Sequence, residues 1–259
     1  MLGYLTLMGE IVMESGFESV YPFATENVSE YFTALNLKDQ SVLTVGSSLD
    51  QLFNALVYGA KKVSVFDINP YVKEYFEIKK QILLHSKRKN FVKKVFELQK
   101  QNFAFSKDVP NEKRIYESNI YLSTDAYYEK LQELVQTVPI DFIEGNIFTP
   151  DLLESYDRII FSNILQYLDY FFPDKNVDLF QQIKILVTCW NKFLNKNGIL
   201  QLLYLYSYGY QDLFKENHSI CCYNLKKIVE TLQPFKLDIE WISGFYEKKD
   251  AIVTYTKKI

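Results

Sequence analysis

Two periods of apolar residues run through this chain, and their order predicts its elements. Val42–Val45 and Val63–Phe66 are short uncharged runs (VLTV and VSVF), as expected of strands covered on both faces. Between them Leu52, Phe53, Leu56 and Val57 recur at helical spacing from Asp50, and Gly59 stands where a helix C-terminal cap belongs. Upstream, an irregular stretch (GFESVYPFATE, 16–26) leads into a predicted helix over Asn27–Leu35. Downstream, apolar positions from Val72 to Leu98 fall near helical spacing and predict one long helical stretch from Pro70 to about Gln101. A helix over Asp125–Gln136 follows, then strands over Asp141–Phe148, with a turn, and Tyr156–Asn163. An amphipathic helix over Val177–Leu194, a turn at Asn195–Gly198 and a strand over Ile199–Leu205 come next. A helix over Leu225–Leu232 and two strands, Leu237–Trp241 and Ala251–Thr256, complete the pattern.

Strands alternating with helices make this an α/β fold with a parallel sheet. The distance from Asp67 to the next strand is far longer than a minimal α/β unit needs, which predicts a helical insertion at about 71–139. The chain therefore divides into an N-terminal helical segment, 1–40, and an α/β domain, 41–259.

Composition narrows the classes. An apolar fraction of 48% over 259 residues supports a large core, rich in Tyr and Phe at twenty each. A net charge of −3 argues against nucleic-acid binding by bulk electrostatics. Three cysteines (Cys189, Cys221, Cys222) and two histidines (His85, His218) match no metal or disulfide spacing, so no metal site is expected. The apolar N-terminus lacks a basic leader, and no run is long enough to span a bilayer, which makes the cytoplasm the expected location.

Between Lys79 and Lys100 eight basic residues face one acid, Glu97. That face is a candidate for an anionic partner, against the plainer reading of a solvated helix surface.

The chemistry centres on residues 41–70. A strand ends at Gly46, and a second strand ends at Asp67, 67 − 46 = 21 residues on. A glycine turn lets a ligand approach the backbone, and a terminal acid can take both hydroxyls of a ribose. A dinucleotide site wants G-x-G-x-x-G for the pyrophosphate, but here one glycine is followed by Ser47, Ser48 and Leu49. Asp50 near the helix start would repel a phosphate and could instead meet an amino group or a sulfonium. This favours S-adenosylmethionine over NAD. The competing reading is a Rossmann-like fold whose pocket has decayed.

The stretch VLTVGSSLDQLFNALVYGAKKVSVFDINP resembles poorly characterised bacterial members of the class I S-adenosylmethionine-dependent methyltransferase superfamily. More distantly it resembles the 3-amino-3-carboxypropyl transferases of betaine-lipid synthesis, which share a Gly-Ser turn and an Asp-Ile-Asn strand end. The resemblance implies a Rossmann-like sheet of seven strands whose last two form an antiparallel hairpin. It implies a cofactor site using Gly46, Ser47, Asp50, Asp67, Ile68, Asn69 and Asn146, with Asn146 accepting from the adenine amine and Ile147 or Phe148 packing on the ring. Leu49 departs from the pattern, where relatives tend to have a second glycine, and a side chain there would narrow the approach to the methionine moiety. A leading segment often folds over the cofactor in this superfamily, so Tyr21, Phe23, Thr25 and Glu26 are candidates to cover its methionine end; Tyr21 and Phe23 read equally well as staples for the next helix.

Ligands of open α/β sheets lie beyond the carboxyl ends of strands at the switch point. Ser162, Asn163, Gln166 and Tyr167, at and after the end of the fourth strand, are thus the reaction-centre candidates. Asn163 or Tyr167 would orient an acceptor, and Tyr167 would help remove a proton. Three functions stay open: a methyltransferase acting on an unassigned acceptor, an aminocarboxypropyl transferase using the same cofactor, and a non-catalytic adenosyl-ligand-binding or interaction protein.

Overall fold

The computed structural model describes residues 19–98, 110–164, 168, 177, 179–203, 237–243 and 249–257. Its elements are α1 (Val28–Ala34), β1 (Ser41–Val45), α2 (Asp50–Val57), β2 (Lys62–Asp67), α3 (Val72–Leu84), α4 (Arg88–Glu97), α5 (Glu112–Ser118), a 3-10 turn (Ile120–Leu122), α6 (Asp125–Thr137), β3 (Ile140–Glu144), β4 (Tyr156–Ser162), α7 (Leu179–Asn191), β5 (Leu194–Leu203), β6 (Leu237–Ser243) and β7 (Lys249–Thr256).

The strands form one seven-stranded sheet in the order β3-β2-β1-β4-β5-β7-β6. Strands β1 to β5 are parallel, while β7 runs antiparallel to both β5 and β6. The Rossmann-like sheet with a closing hairpin is therefore present, and the chain reverses its direction across the sheet between β1 and β4. Thr44 pairs with Val65 on one side and Ile160 on the other, which fixes the register at that switch point. Among the described residues no helix is long and apolar enough to cross a membrane.

Alternation along the strands separates two cores. Val42, Val63, Val65 and Ile160 join a large core with α1, α2, α3, α4 and α6. Leu43, Val45, Phe66, Ile159 and Phe161 join a second core with α7. In the second core Trp190 meets Phe66 and Phe161 edge-on at 5.0 and 4.8 Å, and its indole N–H donates to the Ile147 carbonyl at 2.8 Å.

Helix α2 ends as its sequence predicts. Gly59 has φ +92°, its N–H donates to Leu56 O and that of Ala60 to Ala55 O, so both orphan carbonyls are taken by a Schellman closure.

Two boundaries differ from expectation. The single helix expected over 70–101 is broken at 85–87. There His85 Nδ1 and Ser86 Oγ turn back onto the Gln81 and Ile82 carbonyls, and Lys87 is extended. The break folds α4 against α3 so that Phe91, Val92 and Val95 reach the same core as Val72, Tyr75 and Phe76. A continuous helix rising ~1.5 Å per residue would have carried them away from it. Strand β5 also starts earlier than expected. The predicted turn at 195–198 lies inside it as a bulge, where the β4 register jumps from Tyr156↔Leu194 to Arg158↔Ile199 and Asn197 takes φ +60°.

Candidate functional site

The glycine turn is built by close contact. Leu49 N–H donates to Gly46 O at 2.7 Å, and Ser47 and Leu49 take φ +37° and +69°. A Cβ on Gly46 would lie 2.6 Å from Val72 Cγ1 and 2.8 Å from Asp67 Oδ2, so only glycine fits. The Asp67 carboxylate clamps the turn. Oδ2 accepts from Ser47 N–H at 2.8 Å, and Oδ1 from Asn69 N–H at 3.0 Å. Burial raises its pKa, while backbone N–H groups, that of Asn69 foremost, pull the other way. Gly145 N–H donates to the Asp67 backbone carbonyl at 3.0 Å, so the ends of β1, β2 and β3 meet at this residue.

Several predicted contacts turn inward. Leu49 is fully buried in the large core and offers no surface to an approaching ligand, contrary to the expected narrowing of the methionine approach. Its left-handed backbone, without glycine, stores strain on the order of 1–3 kcal/mol.

Asp50 is also fully buried. Oδ1 lies 3.1 Å from Lys79 Nζ and accepts from Tyr121 OH at 2.8 Å, and Oδ2 accepts from Ala24 N–H at 2.6 Å. The cation that Asp50 meets is therefore a lysine of the chain itself. Asn69 holds its own turn by accepting from Tyr71 N–H, and its amide donates to Ser19 O. Asn146 accepts from Phe148 N–H at 2.8 Å through the oxygen expected to face an adenine amine. Ile147 and Phe148 pack into the second core, not on an open face.

Residues 19–27 form a strap across these strand ends. Pro22 O accepts from both Lys79 Nζ (2.8 Å) and Tyr75 OH (3.1 Å). Lys79 Nζ also donates to Ser48 O at 2.7 Å and sits 4.5 Å from the Phe23 ring centroid. Burial lowers the Lys79 pKa, and Asp50 opposes that shift. Phe23 is therefore a buried staple, edge-on to Phe91 and Phe96, and not a cover.

Glu26, at the far end of the strap, is brought to the switch point. Its Oε1 accepts from Ser162 Oγ at 2.7 Å and from Gln51 Nε2 at 2.8 Å. Burial raises its pKa, and the negative charge of Asp50 adds to that. Beside it the chain leaves β4 through Asn163, at φ +53°, whose buried Oδ1 has no hydrogen-bond partner. Left-handed backbone without glycine and an unsatisfied amide are strain of the kind found at functional sites.

The structure thus brings together Gly46, Ser47, Asp67, Gly145, Asn146, Ser162, Asn163 and Glu26. Of these, Ser47, Asp67, Gly145, Asn146 and Asn163 keep part of their surface accessible, as do Tyr21, Thr25 and Ile68. Gln166 and Tyr167 lie outside the described residues. The basic stretch is smaller than it reads, because Lys79 is buried and Arg88 pairs with Asp125 at 2.7 Å; Lys87, Lys89, Lys93 and Lys94 remain exposed.

Lys79, Gln51 and Tyr121 are structural members of the site that the sequence reading missed. For Lys79 a signal existed: it sits in the inward stripe Val72, Tyr75, Phe76, Leu83. Gln51 and Tyr121 carried none.

No family model matches this chain, and no curated protein matches it. Among solved structures it is similar to the N-methyltransferase NodS from Bradyrhizobium japonicum WM9 (12% identity, 88% of this chain and 93% of that chain, TM-score 0.46). It is also similar to a methyltransferase from Pyrococcus furiosus (11% identity, 100% and 98%, TM-score 0.45). Human N-acetylserotonin methyltransferase, solved with SAM, gives 16% identity over 90% of this chain and 51% of that chain, TM-score 0.43. The strand order, not these similarities, defines the fold.

Proposed function

We propose that this chain is an S-adenosylmethionine-dependent transferase, and that the group it moves is the methyl. One observation carries the reading: the carboxylate of Asp67, a half-buried residue, is fixed across the Gly46–Ser47 turn beside the β1/β4 switch point. Backbone N–H groups of Asn69, Ser47, Gly46 and Ile68 act on this carboxylate, and ribose hydroxyls would share its roughly four acceptor positions with them. The absent side chain at Gly46 lets Asp67 and Val72 close on the turn, and Ser47 is the turn residue with accessible surface. The residues present therefore fit an adenosyl group, with Asp67 at the ribose and Asn146 one strand over at the base.

The cofactor supplies an activated methyl on a cationic sulfur, so the protein's share is placement and exclusion of water. Asn163, left-handed at the end of β4, is the residue that would orient an acceptor. Tyr167 follows in the chain as the group to take a proton if the acceptor loses one.

Calorimetric titration with S-adenosylmethionine and with S-adenosylhomocysteine tests the reading. Micromolar binding is expected, with Asp67→Asn weakening both ligands by about 10- to 100-fold, the scale of a lost charge-assisted hydrogen bond. Unchanged affinity in a folded Asp67→Asn variant overturns the placement. Product analysis separates the chemistries: adenosylhomocysteine marks methyl transfer, and methylthioadenosine marks aminocarboxypropyl transfer.

A further inference from the structure

Glu26 is a buried acid without a cation. Asp50, equally enclosed, has Lys79 at 3.1 Å, and Asp67, half-buried at the neighbouring strand end, is held by backbone N–H groups rather than by a cation. Among the described residues no cation pairs with Glu26, which is 5% exposed. Its donors are all neutral: Ser162 Oγ and Gln51 Nε2 on Oε1, Thr25 Oγ1 on Oε2 at a long 3.3 Å, and its own backbone N–H. An enclosed anion without a counter-charge is costly unless something supplies that charge.

Its place makes the missing charge informative. Ser162 is the last residue of β4 and Gln51 lies in the first turn of α2, so Glu26 bridges the two sides of the switch point. Asn163, with its unpartnered amide oxygen, is the next residue along.

We infer that Glu26 is a charge-reading residue: its carboxylate, delivered by the strap, receives the positive sulfur of the bound cofactor and so distinguishes the charged donor from the neutral thioether left after transfer. This rests on the adenosylmethionine reading above. Donor and product share the adenosine, the ammonium and the carboxylate and differ in the methyl and the sulfonium charge. A carboxylate that answers that charge favours the donor and loosens the product.

The titratable groups facing Glu26 are few. From α2 comes Asp50, paired with Lys79 of α3; the β4 and strap contacts, Ser162 and Thr25, are neutral. Burial and, to a smaller extent, Asp50 oppose the ionised form, so donor preference should grow as pH rises through the raised Glu26 value.

The test is calorimetry of the full chain and of Glu26→Gln with S-adenosylmethionine and S-adenosylhomocysteine at pH 5, 6.5 and 8. The amide keeps an acceptor for Ser162 and Gln51 and removes a buried charge, and a melting curve checks folding. Expected at pH 8 is a loss of tenfold or more in donor affinity with less than threefold change for the product, and no pH dependence of the ratio in the variant. Equal losses for both ligands, or none, overturn the inference while leaving the cofactor reading intact. Failure of the unaltered chain to bind either ligand at millimolar concentration overturns the cofactor reading and this inference together. Should Glu26→Gln not fold, Ser162→Ala serves. It withdraws a donor that favours the ionised carboxylate, so the rise of the donor-to-product affinity ratio with pH is expected to move to higher pH than in the unaltered chain; an unmoved profile counts against the inference.

Discussion

The two faces of the sheet solve the same packing problem with different materials. Around Trp190 the second core is aromatic and aliphatic, with polar contacts from the tips of aromatic rings, such as the indole N–H on a backbone carbonyl and the Tyr255 hydroxyl on Asn191. On the other face, beneath the strap, Lys79, Asp50, Tyr121, Gln51, Glu26 and Ser162 are buried among phenylalanines and joined by hydrogen bonds. An apolar core tolerates approximate packing, whereas a polar one demands that each donor find its acceptor. The polar side is where the glycine turn and the end of β4 are held in position, and it is also where the non-glycine left-handed residues Ser47, Leu49 and Asn163 cluster. Energy that the Trp190 side turns into plain stability is used on the strap side to fix geometry.

The contrast is broken most sharply by Lys79→Ala. It leaves Asp50 enclosed without its cation and removes donors from Pro22 and Ser48, and is expected to cost about 3–5 kcal/mol. Urea unfolding measures it, and protease cleavage within 19–27 should rise with it. Trp190→Ala should cost a similar ~3–5 kcal/mol through a cavity, yet leave the strap as resistant as before. Pairing tells the faces apart. Asp50→Asn combined with Lys79→Met should lose clearly less than the sum of its parts, because the uncompensated charge is gone.

A smaller effect sharpens the electrostatic side. Glu26 holds its proton to higher pH when folded than when unfolded, so stability should be greatest below the ordinary carboxylate range and fall as pH rises towards the raised value. Glu26→Gln should remove that decline, as read from melting temperatures between pH 4 and 8.

The smallest effect belongs to Asp157, at the opposite ends of the strands. Burial opposes its ionisation, but the Ser41 N–H, the Asn195 amide and the Ser41 hydroxyl outweigh it and hold the pKa at about 2. Its contribution is present above the unfolded carboxylate value and fades as pH falls towards 2. Asp157→Asn should flatten that acid limb by less than about 1 kcal/mol, given solvent screening.

Much of the fold was legible because it rests on local chemistry. Val42–Val45, Val63–Phe66 and the apolar stripe of α2 announce strand and helix by period, and Gly59 announces the helix end by the φ it must adopt. Gly46 and Asp67 could be singled out for the same reason: a turn without a side chain and an acid at a strand end have meanings that neighbouring sequence supplies. Leu49 and Asp50 were read as facing a ligand because spacing says nothing about which way a turn residue points.

What the tertiary structure alone decided were the long-range partners. Glu26 and Ser162 are 136 residues apart, and Asp50 and Tyr121 are 71 apart. No periodicity links such pairs; only the strand order, which lays β4 beside β1 and draws the strap over both, brings them within hydrogen-bonding distance. The sequence determined where the chain would turn and which faces would be buried. Which buried charges would find one another, as Asp50 and Lys79 do, was decided by packing, because electrostatic pairing depends on distance in space and on the exclusion of water.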